Sequence, residues 1–203
     1  MKRESGSNAT KEKIREAAIT LFKENGYENV TVVQICEAAN ITKRTFYYHF
    51  ESKDELLAGI TDSLGVQAEQ LLGTLVSQRT NMGMLWELMQ VYSINSVRFG
   101  PNLIKQIYIN MLKNGEEKKF PEDMYLYNTV VRTIINAQNA GELKNKSAAE
   151  DLTYALYHSF RSITITWASE NGAFDIEQSF RRAFDAVFDI RSGGQETDGT
   201  GDN

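Results

Sequence analysis

Apolar positions recur every three to four residues along most of this 203-residue chain, and they rarely alternate with polar ones. That period is helical. Ile14, Ala17, Ala18, Leu21 and Phe22 share one face, after a possible cap at Thr10 and before a stop at Asn25-Gly26. A second helix is predicted from the capping residue Thr31 through Ile35 and Ala38, ending at Asn40. A third follows Thr42 and carries Phe46 and Phe50, four residues apart on its inner face. Ser52 opens a fourth, where "SKDE" has the form of a capping box, and its pattern runs to about Val76. Three short helices in about 45 residues, with a tight turn between the last two, outline a helix-turn-helix.

Further helices are predicted near 83–99, 101–114, 121–140, 147–170 and 174–190. Gly100-Pro101 and Phe120-Pro121 mark breaks, and Gly141 and Gly172 suit helix ends. The fold class is therefore all-α: an N-terminal three-helix helix-turn-helix unit at 9–54 and a larger helical unit at 55–190. Residues 1–8 read as a disordered arm, and 191–203, "RSGGQETDGTGDN", as a tail with nothing to bury.

Charge sharpens this division. The chain carries −5 overall, yet residues 1–55 hold nine basic and nine acidic side chains, so the whole excess lies downstream. A neutral head on an acidic body suits a module that approaches phosphates. The single cysteine, Cys36, excludes an intrachain disulfide and reads as a buried structural thiol. With no apolar stretch of about 20 residues and no leader-like h-region, a cytoplasmic protein is expected, with no membrane contact. His49 and His158 are the only histidines, and no nucleotide-binding or hydrolase motif occurs. No enzyme, metal site or cofactor is expected.

The third helix carries the candidate chemistry. Thr42 stands at its N-terminus, where unpaired N–H groups attract anions. Lys43, Arg44 and Thr45 follow, then Tyr47, Tyr48 and His49. Cation, hydroxyl and ring on one exposed flank suit a DNA major groove walled by phosphate. Packing of Tyr47 into the core, with His49 capping a neighbouring helix, is the competing reading.

The stretch "IREAAITLFKENGYENVTVVQICEAANITKRTFYYHFESKDELL" resembles the N-terminal domain of the TetR family of bacterial transcriptional regulators, over roughly residues 10–57. The Ala-Ala and Leu-Phe of the first helix, Gly26-Tyr27, Thr31 and the Thr45–Phe50 core carry it. Arg44 departs from the small residue common there, and a long cation at that position suits direct base reading. The resemblance implies phosphate contacts by Thr31, Tyr47, His49 and Lys53, and base or groove contacts by Thr42, Lys43, Arg44, Thr45 and Tyr48. It implies a ligand-responsive repressor that binds an inverted-repeat operator as a homodimer. Activation, or control by a protein partner in place of a small molecule, stays open.

The same resemblance makes the rest of the chain a ligand and dimerisation domain. Leu152, Leu156, Ser159, Ile163 and Trp167, with Phe180, Phe184 and Phe188, form stripes more apolar than one compact monomer is expected to need. A two-fold interface would absorb them, and so would an internal core. Small residues Ala155, Ser159, Ser162 and Thr166 permit close helix approach. Trp86, Met89, Tyr92, Tyr108, Met111, Tyr125 and Tyr154 would line an effector pocket, with His158 and Arg161 as its polar groups. The identical spacing also fits ordinary core. The effector itself is not written in the sequence.

Overall fold

The structure is a computed structural model, and it describes residues 2–60, 80–114, 121, 124 and 126–190. All described regular structure is helical. Helix α1 runs Lys2–Asn25, α2 Val32–Ala38 and α3 Lys43–His49. Helix α4 occupies 53–60 within the described residues. Then come α5 (Asn81–Asn114), α6 (Tyr127–Asn139), α7 (Ala149–Ser169) and α8 (Ile176–Phe188). The continuation of α4 expected to Val76, the tail 191–203 and Tyr125 lie outside the described residues.

Two elements depart from expectation. Helix α1 begins at Lys2 instead of near Thr10, so most of the expected arm is helical. No proline interrupts residues 1–13, and once a helix has nucleated each further residue adds a hydrogen bond. Helix α6 begins at Tyr127 instead of near 121. The break expected at Gly100-Pro101 is present and divides α5 into two helical segments. Gly100 sits at φ 78°, ψ 162°, a backbone state open to glycine, and Pro101 restarts the helix behind it.

The head core is built by Ile14, Ala18 and Phe22 of α1, Ile35 of α2, Phe46 and Phe50 at α3, and Leu56, Leu57 and Ile60 of α4. The turn between α2 and α3 is a Schellman motif. Asn40 takes φ 48°, its N–H bonds to the Glu37 carbonyl at 3.0 Å, and Ile41 N–H bonds to the Cys36 carbonyl at 2.9 Å. Asparagine tolerates that left-handed state better than most side chains, so one residue fixes the angle at which α3 leaves α2. Burial pushes the Cys36 thiol up, as a packing role requires.

In the body, α7 packs on α8 and on α5. Phe160 stacks on Phe180 with ring centroids 4.1 Å apart, and Phe184 meets Phe188 edge to face at 4.8 Å. This corrects the expected interface. Leu152, Leu156, Trp167, Phe180, Phe184 and Phe188 are all buried within one chain, and Ser159 and Ile163 are half-buried. The apolar excess is absorbed where α8 lies against α7. The outward face of α7 instead carries Tyr154, Ala155, Ser162, Ile165 and Thr166.

Candidate nucleic-acid interface

Helix α3 is held by its ends and by its inner face. Thr42 accepts the Thr45 N–H at 3.1 Å, and the two hydroxyls lie 2.9 Å apart. Phe46 is fully buried, and its ring centroid lies 5.9 Å from that of Phe50. With that face anchored, the helical period turns Lys43, Arg44, Tyr47 and Tyr48 outward. Tyr48 is 79% exposed and Tyr47 55%. An aromatic ring this exposed gains nothing from burial, so packing does not explain Tyr48. Tyr47 also leaves the core, its ring meeting Phe46 edge-on at 5.4 Å.

His49 is half-buried beside Tyr48, with ring centroids 4.9 Å apart. Burial, and then the nearby Lys11 ammonium, hold its imidazole below the ordinary histidine range. In the free protein it is therefore neutral at neutral pH, with an N–H available as a donor.

Two of the expected phosphate residues also serve the fold. Thr31 caps α2 in a full capping box: Gln34 N–H donates to its hydroxyl at 3.3 Å, and Gln34 Oε1 accepts the Thr31 N–H at 2.8 Å. Lys53 donates from Nζ to the carbonyls of Tyr27 at 2.7 Å and Val30 at 3.0 Å, and lies 4.1 Å from the Tyr27 ring centre. An ammonium has three N–H donors, so one is left for phosphate. Lys53→Ala is accordingly expected to do two things at once. It should lower head stability by about 1–2 kcal/mol and flatten the salt dependence of DNA binding by about one ion. Chemical denaturation and a salt titration read the two separately. An unchanged salt slope would leave Lys53 a purely structural residue.

At the start of α4, Glu55 N–H bonds to Ser52 Oγ at 3.0 Å. The Glu55 carboxylate reaches back to the N–H of Glu51, one residue earlier than the capping box expected from "SKDE".

The expected pocket residues divide. Tyr92 and Tyr108 of α5 gather with Arg161 of α7: the Arg161 guanidinium lies 5.7 Å from the Tyr108 ring centre. Tyr157 joins them, its ring 6.0 Å edge-on from Tyr92. Burial pushes the Tyr92 hydroxyl up to about 12, and raises Tyr108 and Tyr157 in the same direction. Sequence reading missed Tyr157. Its position one turn from Arg161 puts both on one face and was the available signal.

Trp86 lies apart, against Phe184 at 5.2 Å and Arg181 at 4.9 Å. Met89 is fully buried core and Met111 packs partly buried against it. Tyr154 is 53% exposed on the outer face of α7, with His158 beside it at 4.1 Å. Tyr154 lies at the exposed edge of that face, whereas Tyr157 is buried. Among the described residues no group of three histidine, cysteine or acidic side chains is placed to hold a metal. Among them, too, no helix is long and apolar enough to cross a membrane.

The head and the whole architecture have relatives. Residues 14–60 match the family described as bacterial regulatory proteins, tetR family. The biofilm operon icaADBC negative transcriptional regulator IcaR of Staphylococcus epidermidis is 46% identical over 46 residues, 23% of this chain. The match spans about a quarter of that curated relative's length, 25%. In fold, 91% of the chain superposes on all of Thermus thermophilus FadR, a TetR-family repressor solved with lauroyl-CoA, at TM-score 0.57 and 18% identity. The fatty acid degradation regulator FadR of Bacillus halodurans aligns over 92% of this chain and 96% of its own, at TM-score 0.64 and 12% identity. The fold is shared with these regulators, and the head carries their helix-turn-helix. Over residues 14–60, this chain is similar to the N-terminal domain of the TetR family.

Proposed function

We propose that this protein is a homodimeric transcriptional repressor that reads an inverted-repeat operator and is released from it by a small molecule bound in the helical body. The observation that carries the reading is the outward flank of α3. Lys43, Arg44, Tyr47 and Tyr48 project from a helix whose other face is locked by Phe46. Cations find phosphate, and hydroxyls and rings find base edges and groove walls. In a two-fold dimer, two copies of α3 would meet half-sites about 34–36 Å apart or more.

Repression is favoured over activation by the likeness of the head to a negative regulator. A small-molecule effector is favoured over a protein partner by the buried Tyr157 with the half-buried Tyr92, Tyr108 and Arg161, which set hydroxyls and a cation between α5 and α7. Dimerisation is assigned to the outer faces of α7 and α8, where Ala155, Ser162, Thr166 and Ala186 are exposed and small enough for close approach. An effector acts only by binding one head separation better than another, and coupling of about 1–3 kcal/mol changes operator affinity about 5–150-fold.

Selection of binding sites from random duplex DNA at physiological salt tests the reading. An enriched inverted repeat supports it; weak, salt-sensitive binding without enrichment removes it. Arg44→Ala should then relax preference at one operator position by about 1–3 kcal/mol. An equal loss on every sequence would reassign Arg44 to the phosphate backbone.

A further inference from the structure

The head docks on the body along α5 at three levels. Ahead of the kink, Arg98 pairs with Glu16 of α1. At the kink, the stem of Lys23 covers Gly100. Past it, Asn110 Nδ2 donates to Asp54 Oδ1 at 3.1 Å, and the Tyr27 hydroxyl donates to the same oxygen.

The third level differs from the others in how completely it is specified. The Asn110 amide oxygen accepts from Gln106 Nε2 at 3.0 Å, one turn back on α5, which turns the amide's donor end toward Asp54. Tyr27 and Asn110 hold the Asp54 carboxyl below the ordinary carboxylate range, so it is ionised at neutral pH and both bonds are charge-assisted. The neighbouring Lys53 ties the same turn of α4 to the carbonyls of Tyr27 and Val30, directly ahead of the Thr31 cap. One carboxylate therefore joins the α1–α2 loop, the start of α4 and the end of α5.

Beside it opens a cleft of about 310 Å³ lined by Tyr27, Glu28, Lys53, Asp54, Gln106, Asn110 and Lys113. A tightly packed joint would fix the head by shape. Across an open polar cleft, orientation depends on directed bonds.

We propose that the Tyr27–Asp54–Asn110 junction sets the angle of the head on the body, and with it the separation of the two recognition helices, making Asn110 a positioning residue for operator spacing. The inference rests on the dimeric DNA-binding reading. Asn110 belongs to the body, outside the outward flank of α3, so it acts on DNA through Asp54 and not by contact.

The test uses the full-length protein and duplexes carrying the selected inverted repeat, its centre lengthened or shortened in single base pairs, together with a lone half-site. Wild type should prefer one spacing. Asn110→Leu, close in size but unable to donate, should bind that spacing roughly 5–10-fold more weakly. Its spacing profile should flatten while half-site affinity stays at the wild-type value. Tyr27→Phe removes only a hydroxyl and should shift the profile in the same way, which covers the case of a poorly folding leucine variant. Spacing profiles that superimpose on wild type for both variants would overturn the proposal. So would a half-site loss equal to the full-site loss, because that marks general damage to the head. Failure of wild type to prefer any inverted repeat, read before any variant, would overturn the dimeric reading and this one with it.

Discussion

Ala155→Glu is expected to convert a dimer into a monomer and to weaken operator binding by more than about 100-fold, the equivalent of roughly 3 kcal/mol. Ala155 stands on the exposed face of α7, in line with Ser162 and Thr166. Within one chain its side chain meets solvent, so the carboxylate costs the monomer little. Against a second copy the same carboxylate would lie opposite its own symmetry mate. Burying it without a partner costs several kcal/mol. Sedimentation at micromolar concentration reads the first effect and operator titration the second. A variant that remains dimeric with wild-type affinity would move the interface away from α7. Leu156→Ala, one position along but fully buried, should behave oppositely: it should lower the unfolding temperature and leave assembly in place.

The second large effect is expected inside the head. Phe46→Ala removes a fully buried ring that seats α3, at a cost of about 3–5 kcal/mol. Whole domains are stable by only about 5–15 kcal/mol, so the head should unfold well below the wild-type temperature, and DNA binding should go with it. Tyr48→Ala is the contrasting case. The side chain is 79% exposed, so stability should change by no more than about 0.5 kcal/mol. DNA affinity should still fall severalfold if the ring meets the groove. Thermal unfolding followed by circular dichroism, beside an operator titration, separates the pair. Wild-type DNA affinity for Tyr48→Ala would show that the ring has no part in binding.

Much of the head was legible from local chemistry. Caps announce themselves: Thr31 and Thr42 begin helices because their hydroxyls accept the N–H three residues on, and Asn40 ends one because it tolerates positive φ. The inward placing of Phe46 and Phe50 was readable from helical period alone, whereas Tyr47 also fitted core packing and its exposure needed the structure. Gly100-Pro101 showed a break, and Gly100 leaves the helical region there. The body was less legible because the same apolar stripe serves core and interface equally well. Whether Phe180 and Phe184 faced a partner or their own α7 depends on where α8 lies, which no single stripe encodes. Lys53 was only half legible. A lysine beside a DNA-reading helix suggests phosphate, yet two of its donors close a loop 23 to 26 residues earlier in the chain. The Asp54–Asn110 contact joins residues 56 apart in sequence, beyond the reach of any local rule.

The brevity of α3 has a consequence for searching a genome. Seven residues at about 1.5 Å each extend about 10 Å, the length of roughly three base-pair steps. A word of three letters recurs by chance about every 64 base pairs, so a lone head would find decoys everywhere. In the proposed dimer, two heads at one fixed gap would read six letters, a combination recurring about every 4,000 base pairs, and a variable gap would admit many more decoys. Under the proposed dimeric reading, the address then depends on the ruler between the readers, and an effector that stretched the ruler would erase the address without touching a single letter.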